Sequence, residues 1–197
     1  MNDLECLRLC RERYHDYLIA AGIRYSVRVE VLAGIMMRET RIGTSHLLDK
    51  PGPEGRGDGG HGHGLMQIDD RSFPEFCASP DWADPQKNIY FAAGVLAGKR
   101  QYLTARVPWL TPTELERAAI AAYNCGEGRV RQALHEGRDP DSDTTGGDFS
   151  RAVLEYAVIY KSLQIEETKP TWTSPSISPS RKSWTEWWKG LWVGSRH

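Results

Sequence analysis

The chain has no run of residues long and apolar enough to cross a bilayer. Its longest apolar stretch, Val31 to Met37, is interrupted by Gly34 and is far short of the ~20 residues a spanning helix needs. The first residues, Met-Asn-Asp-Leu-Glu-Cys-Leu-Arg, lack the basic segment followed by an apolar core that marks a secretory leader. The expectation is a soluble protein made in the cytoplasm, which reaches an external target only through lysis or a dedicated export route. An excess of either charge is also missing: 25 Lys and Arg face 26 Asp and Glu, for a net charge of -1. No basic surface is available to make nucleic acid the main partner. Cysteine is scarce, with four residues, Cys6, Cys10, Cys77 and Cys125. Cys6 and Cys10 share one face of a helix, a spacing poorly suited to a bridge, so free and buried thiols are expected. There is no internal repeat.

What is present is a globular composition, 40% hydrophobic over 197 residues, enough for one ordinary core with an appendage. Helical spacing dominates. Leu4, Leu7, Tyr14, Leu18 and Ala21 predict a helix over 3–21, ended by Gly22. Ser26 is the expected N-cap of a second helix over about 27–41, with Val31, Leu32, Ile35 and Met36 on its inner face. The segment from Gly43 to Gly64 is crowded with glycine and proline and reads as loop. Leu65 to Ile68 reads as a short strand. Further helices are expected over 88–103, over about 113–123 with Thr111 or Thr113 as its cap and a capping box fitting Thr113 to Glu116, and over 149–163, with a restart at Val130 to Leu134 after Gly126 and Gly128. The fold class is thus mainly α, with a small β or loop element. Three regions are expected: a catalytic domain over 1–165, a Pro- and Ser-rich linker over 166–183, and a Trp-rich tail over 184–197.

Glu39 stands out chemically. Glycoside hydrolysis needs one carboxyl that stays protonated and a second group that activates water. Glu39 falls at the C-terminal end of an apolar helix, where the helix dipole and the neighbouring Ile35 and Met36 disfavour its ionised form. Arg38 and Arg41 act in the opposite sense, but they are rotated about 100° and about 200° around the helix from it. The same spacing also fits an ordinary solvated last turn. The glycine-dense run from Gly55 to Gly64 contains Asp58 and leads into Leu65-Met66-Gln67-Ile68-Asp69. Glycine there lets backbone approach a ligand closely.

Three blocks in order carry a resemblance: Arg38-Glu39-Thr40, then Gly57-Asp58-Gly59-Gly60-His61-Gly62-His63-Gly64-Leu65-Met66-Gln67-Ile68-Asp69, then Ala122-Tyr123-Asn124-Cys125-Gly126-Glu127-Gly128. Together they resemble goose-type lysozyme, within the wider lysozyme-like and lytic transglycosylase group, over about residues 3–163. The resemblance implies a lysozyme-like helical fold that cleaves peptidoglycan glycan strands without a cofactor. It implies that Glu39 is the catalytic acid and that Asp58 and Asp69 position or activate the attacking water. It also implies that Gln67, Tyr123, Asn124, His63 and Phe149 line the sugar groove. Inversion of configuration would follow, with a general-base carboxylate roughly 6.5–9.5 Å from Glu39. Phe149 and Cys125 depart from the family pattern, standing where it has tyrosine and a small residue. Two other functions fit the same blocks: a lytic transglycosylase, which leaves an anhydromuramic end, and a wall-binding module without catalysis.

His46, His61 and His63 beside Asp58 raise the question of a metal, but the His-Gly-His spacing serves one ligand set poorly and no metal is expected. Trp184, Trp187, Trp188, Leu191 and Trp192 recur at the spacing of one helix face, with Arg181, Lys182, Lys189 and Arg196 around them. That pattern suits contact with a membrane surface or an anionic wall polymer. Packing against the catalytic domain or against a second copy is the alternative.

Overall fold

The computed structural model describes residues 1–168, of which 164–168 are described by their backbone alone. The order of elements is α1 (Asp3–Tyr25), α2 (Val29–Thr40), β1 (Arg56–Gly57), β2 (Gly62–His63), β3 (Ile68–Asp69), α3 (Pro74–Ala78), α4 (Pro85–Arg106), α5 (Pro112–Cys125), α6 (Glu127–His135) and α7 (Phe149–Thr168). Short 3-10 turns lie at Asp58–Gly60, Pro80–Ala83 and Thr145–Gly147. The protein is mainly helical with one small antiparallel sheet. Helix α7 continues to Thr168. The rest of the 166–183 linker, and the tail with Trp184, Trp187, Trp188 and Trp192, lie outside the described residues.

Helix α2 is the axis of the core. Val31 through Met37 are all buried, so its apolar surface reaches well beyond the expected stripe of four residues. Helix α7 crosses it at Gly34. A Cβ at that position would come within 2.3 Å of the Val153 carbonyl oxygen, so only glycine admits this approach. Helices α1 and α4 pack on each other, α1 on α2 and α4 on α5, and Ala118 to Ala122 of α5 are buried on consecutive positions. Cys6, Cys10 and Cys77 are buried, Cys125 is half-buried, and all four are free.

Several helix ends differ from expectation. Helix α1 runs through Gly22 to Tyr25, because Gly22 is buried against the Val27 carbonyl rather than exposed as a stop. Ser26 is the left-handed C-cap of α1, at φ 52, and not the N-cap of α2; Arg28 holds that place with no side-chain cap. The capping box of α5 pairs Thr111 with Glu114, not Thr113 with Glu116. Pro112 then occupies the first turn, where its missing N–H costs nothing.

The sheet has the order β1-β2-β3, with Arg56 opposite His63, Gly57 opposite Gly62, Gly62 also opposite Asp69, and His63 also opposite Ile68. Leu65 and Met66 are buried in a turn rather than extended, so the expected strand over 65–68 shrinks to Ile68–Asp69.

Candidate active site

Glu39 occupies the last turn of α2, above Ile35 and Met36, both fully buried. The residue as a whole is half-buried, and desolvation of its carboxyl pushes the pKa from 4.5 up to about 8. The Arg38 guanidinium opposes the rise and the Asp58 charge adds to it. Arg38 is turned to the loop before α7, donating to Asp148 Oδ1 at 2.9 Å and to the Thr145 carbonyl at 3.3 Å. Arg41 is turned to the start of α1, donating to Asp3 Oδ1 at 2.9 Å. Burial therefore outweighs the Arg38 charge, and Glu39 holds its proton at neutral pH.

Three side chains fasten the end of α2 to the sheet and the helices behind it. The fully buried Thr40 hydroxyl donates to the Leu65 carbonyl at 2.9 Å and accepts from the Gly43 amide at 3.0 Å. Asn88, near the start of α4, accepts from the Met66 amide at 2.9 Å. Its amide group donates to the carbonyls of His63 at 3.1 Å and Trp82 at 3.0 Å. The Tyr123 hydroxyl of α5 donates to the Met66 carbonyl at 2.8 Å. Tyr123 is close enough to Glu39 that burial first, and the Glu39 charge second, raise its own pKa well above the ordinary value.

Asp58 sits in the 3-10 turn after β1, exposed and in the left-handed region at φ 50. Asp69 ends β3. Arg71 bridges them: Nη2 donates to Asp58 Oδ2 at 2.5 Å and Nε to Asp69 Oδ1 at 2.7 Å. The Ser72 hydroxyl donates to Asp69 Oδ2 at 2.9 Å. Burial alone would raise the Asp69 pKa, but the bonds from Arg71 and Ser72 prevail and hold it below the usual carboxylate range.

A cleft of about 460 Å³ opens beside Asp69, Arg71 and Tyr123. Gln67, Asp69, Arg71 and Phe73 line one side, with Lys99 of α4, Tyr123 and Asn124 of α5, and Arg129 of α6. Asn124 also accepts from the Thr145 amide at 2.9 Å, which ties α5 to the loop before α7. Gln67 touches the cleft but is committed to the sheet. Its amide donates to the carbonyls of Gly64 at 2.7 Å and Gly55 at 3.3 Å. A Cβ at Gly57 or Gly62 would meet Gln67 Oε1 at 2.4 or 2.3 Å, so these two glycines make room for it.

Two residues expected at the groove are buried. His63 is 5% exposed, donates from Nδ1 to the His61 carbonyl at 2.9 Å and meets Trp82 edge-on. Phe149 is 2% exposed and lies under the Arg38 guanidinium. Both are aromatic side chains at the start or turn of an element, and the packing of the neighbouring helices draws them inward. His61 Nδ1 bonds Asp70 at 2.8 Å, and among the described residues no three His, Cys, Asp or Glu side chains gather as metal ligands would.

A family model described as lysozyme g matches residues 2–163. The chain belongs to the lysozyme g family. Relatives include the lysozyme G of Dromaius novaehollandiae, 29% identical over 150 residues, which span 76% of this chain and 67% of that protein. The lysozyme g of Takifugu rubripes is 31% identical over 154 residues, spanning 77% of this chain and 75% of that one. That of Casuarius casuarius is 29% identical over 150 residues, 76% and 74% of the two chains. Membership in the lysozyme g family makes the chain a glycoside hydrolase and agrees with a helical body carrying a short sheet beside a carboxyl cleft.

Sequence reasoning missed Thr40, Asn88 and Arg71. Thr40 and Asn88 act through backbone groups far away in the chain and leave no local mark. Arg71 did leave one, since it follows Asp69 by two residues within a turn.

Proposed function

We propose that this chain cleaves the β-1,4 bond between N-acetylmuramic acid and N-acetylglucosamine in peptidoglycan, with inversion at the anomeric carbon. The observation that carries the proposal is a pair of opposite shifts: Glu39, coupled to Asp58 and to Tyr123 of the cleft wall, keeps its proton up to about pH 8, and Asp69 in that wall is held below the usual carboxylate range. Carboxyls driven apart in this way supply an acid and a base at the same pH. Glu39 gives its proton to the bridging oxygen as the bond from that oxygen to the anomeric carbon breaks. Water enters from the opposite face, its oxygen bonding the anomeric carbon while Asp58 or Asp69 takes one of its protons. Proton exchange with solvent then restores both carboxyls. Tyr123 and Asn124 form the wall on which the sugars rest.

The test is turnover of purified peptidoglycan by wild type and Glu39→Gln, with mass spectrometry of the products. Loss of the general acid lowers the rate on the order of 10²–10⁴-fold. Reducing muramic ends identify hydrolysis. Anhydromuramic ends would assign a transglycosylase, and no product release by either protein would leave a binding module.

The aromatic and basic run from Arg181 to Arg196 supports a second part of the proposal, contact with the wall or a membrane surface through Trp184, Trp187, Trp188 and Trp192. Replacing the four by serine in the full chain should weaken co-sedimentation with intact sacculi and leave the rate on soluble glycan oligomers unchanged. Undiminished co-sedimentation refutes the contact.

A further inference from the structure

We infer that Arg71 is a positioning residue for this hydrolysis, one guanidinium holding Asp58 and Asp69 in fixed relation to each other and to Glu39; the inference rests on the function proposed above. Among the described residues Asp58 has no other side-chain anchor. Its side chain is 67% exposed, it lies between Gly57 and Gly59, and among the described residues its carboxylate bonds Arg71 alone. Left to itself, a carboxylate on such a turn samples many orientations, and a displacement of about 1 Å in a reacting group can cost a hundredfold in rate. Asp69 is held on both oxygens, by Arg71 Nε on one and by the Ser72 hydroxyl on the other.

The backbone presets the clamp. The amides of Ser72 and Phe73 both donate to the Asp69 carbonyl, at 3.1 and 2.9 Å, and this tight turn folds the Arg71 side chain back over Asp69. From there the fork of the guanidinium reaches the turn after β1. Asp69 ends the outer strand β3 and Asp58 opens the turn after the other outer strand, β1, with β2 between, and among the described residues no backbone bond joins the two directly. Arg71 is 57% exposed, and exposed ion pairs contribute little to folding. Its two charge-assisted bonds are therefore better understood as fixing geometry than as supporting the fold. The guanidinium also offsets the repulsion of two carboxylates brought close together. Other charged or titratable groups around Asp69 are Asp70 beside it, Cys77 on α3 and Arg56 on β1, with Lys99 and Arg129 across the cleft and Glu39 coupled to Asp58.

The experiment compares Arg71→Gln and Arg71→Lys with wild type and Glu39→Gln, all as full chains. It measures kcat/KM on purified peptidoglycan across pH, together with thermal unfolding. Arg71→Gln should lower kcat about tenfold to a hundredfold with little change in KM. The acid limb of the pH profile should move toward neutrality, since the base loses the cation that holds its proton off. Arg71→Lys returns the charge without the fork, so it should restore the acid limb and only part of the rate. Wild-type kcat and an unmoved limb in Arg71→Gln overturn the inference. So does a fall that is uniform across pH, matches the loss of folded protein and is not relieved by lysine. An inactive wild type removes the proposed function and this inference together. An active wild type with a dead Glu39→Gln and an unaffected Arg71→Gln removes the inference alone.

Discussion

Glu39 is held in the state its chemistry requires at a cost to the fold. In the unfolded chain its pKa is near 4.5, and in the folded protein it is about 8. Below pH 4.5 the carboxyl is protonated in both states and no penalty exists. As pH rises from there to about 8, the unfolded state ionises while the folded state does not, so stability is lost through this window and the loss levels off above it. Glu39→Gln removes the penalty. Its melting temperature should equal that of wild type in acid and exceed it increasingly as pH rises, by on the order of 3 kcal/mol in unfolding free energy near pH 7. Denaturant titrations at pH 4 and pH 7 check this. A variant no more stable at pH 7 than at pH 4, relative to wild type, would mean that Glu39 is not desolvated. The same substitution thus separates catalysis from stability, because one should fall while the other rises.

At the level of elements, the crossing of α2 and α7 is the tightest joint in the core. Gly34→Ala would drive a methyl into the Val153 carbonyl, and helices of this length cannot yield locally without moving their neighbours. The expected loss is about 1–3 kcal/mol, read as a lowered denaturation midpoint with an unchanged slope. An alanine there at no cost would show that the helices can part at this point. The long helices were legible because periodicity accumulates over their length: Leu7, Tyr14, Leu18 and Ala21 mark α1, and the apolar run of α2 marks a buried helix. Their ends were harder, since Gly22 and Ser26 obey tertiary contacts rather than their usual preferences, and two Thr-x-x-Glu patterns overlap at 111–116, with only Pro112 to choose between them. The five-residue α3 and the two-residue strands are too short for any period to show. In the site, the place of Glu39 at an apolar helix end made it a candidate but fitted a solvated last turn as well, so its role, like those of the aspartates, was readable only through the family resemblance. His63 and Phe149 were drawn into the core by packing that no local pattern records.

For the whole molecule, four free cysteines mean that no covalent cross-link contributes to the fold. Cys10, whose thiol is pushed up to about 12 by burial, packs its sulfur 3.9 Å from that of Met36 as an apolar neighbour. Melting temperature should therefore be the same with and without reductant, as differential scanning fluorimetry would show; a drop on reduction would reveal a bridge. Cohesion comes instead from the helices, and the sheet depends on them. Strands of two residues cannot support themselves. Thr40, Asn88 and Tyr123 each reach from a different helix to the carbonyls and amides of the hairpin and the turn that follows it. The consequence is mechanical. The hairpin behaves as a plate bolted at three corners to a rigid frame, so a glycan strand entering the cleft meets a surface as stiff as the interior, and the sheet cannot give way unless the helices give way with it.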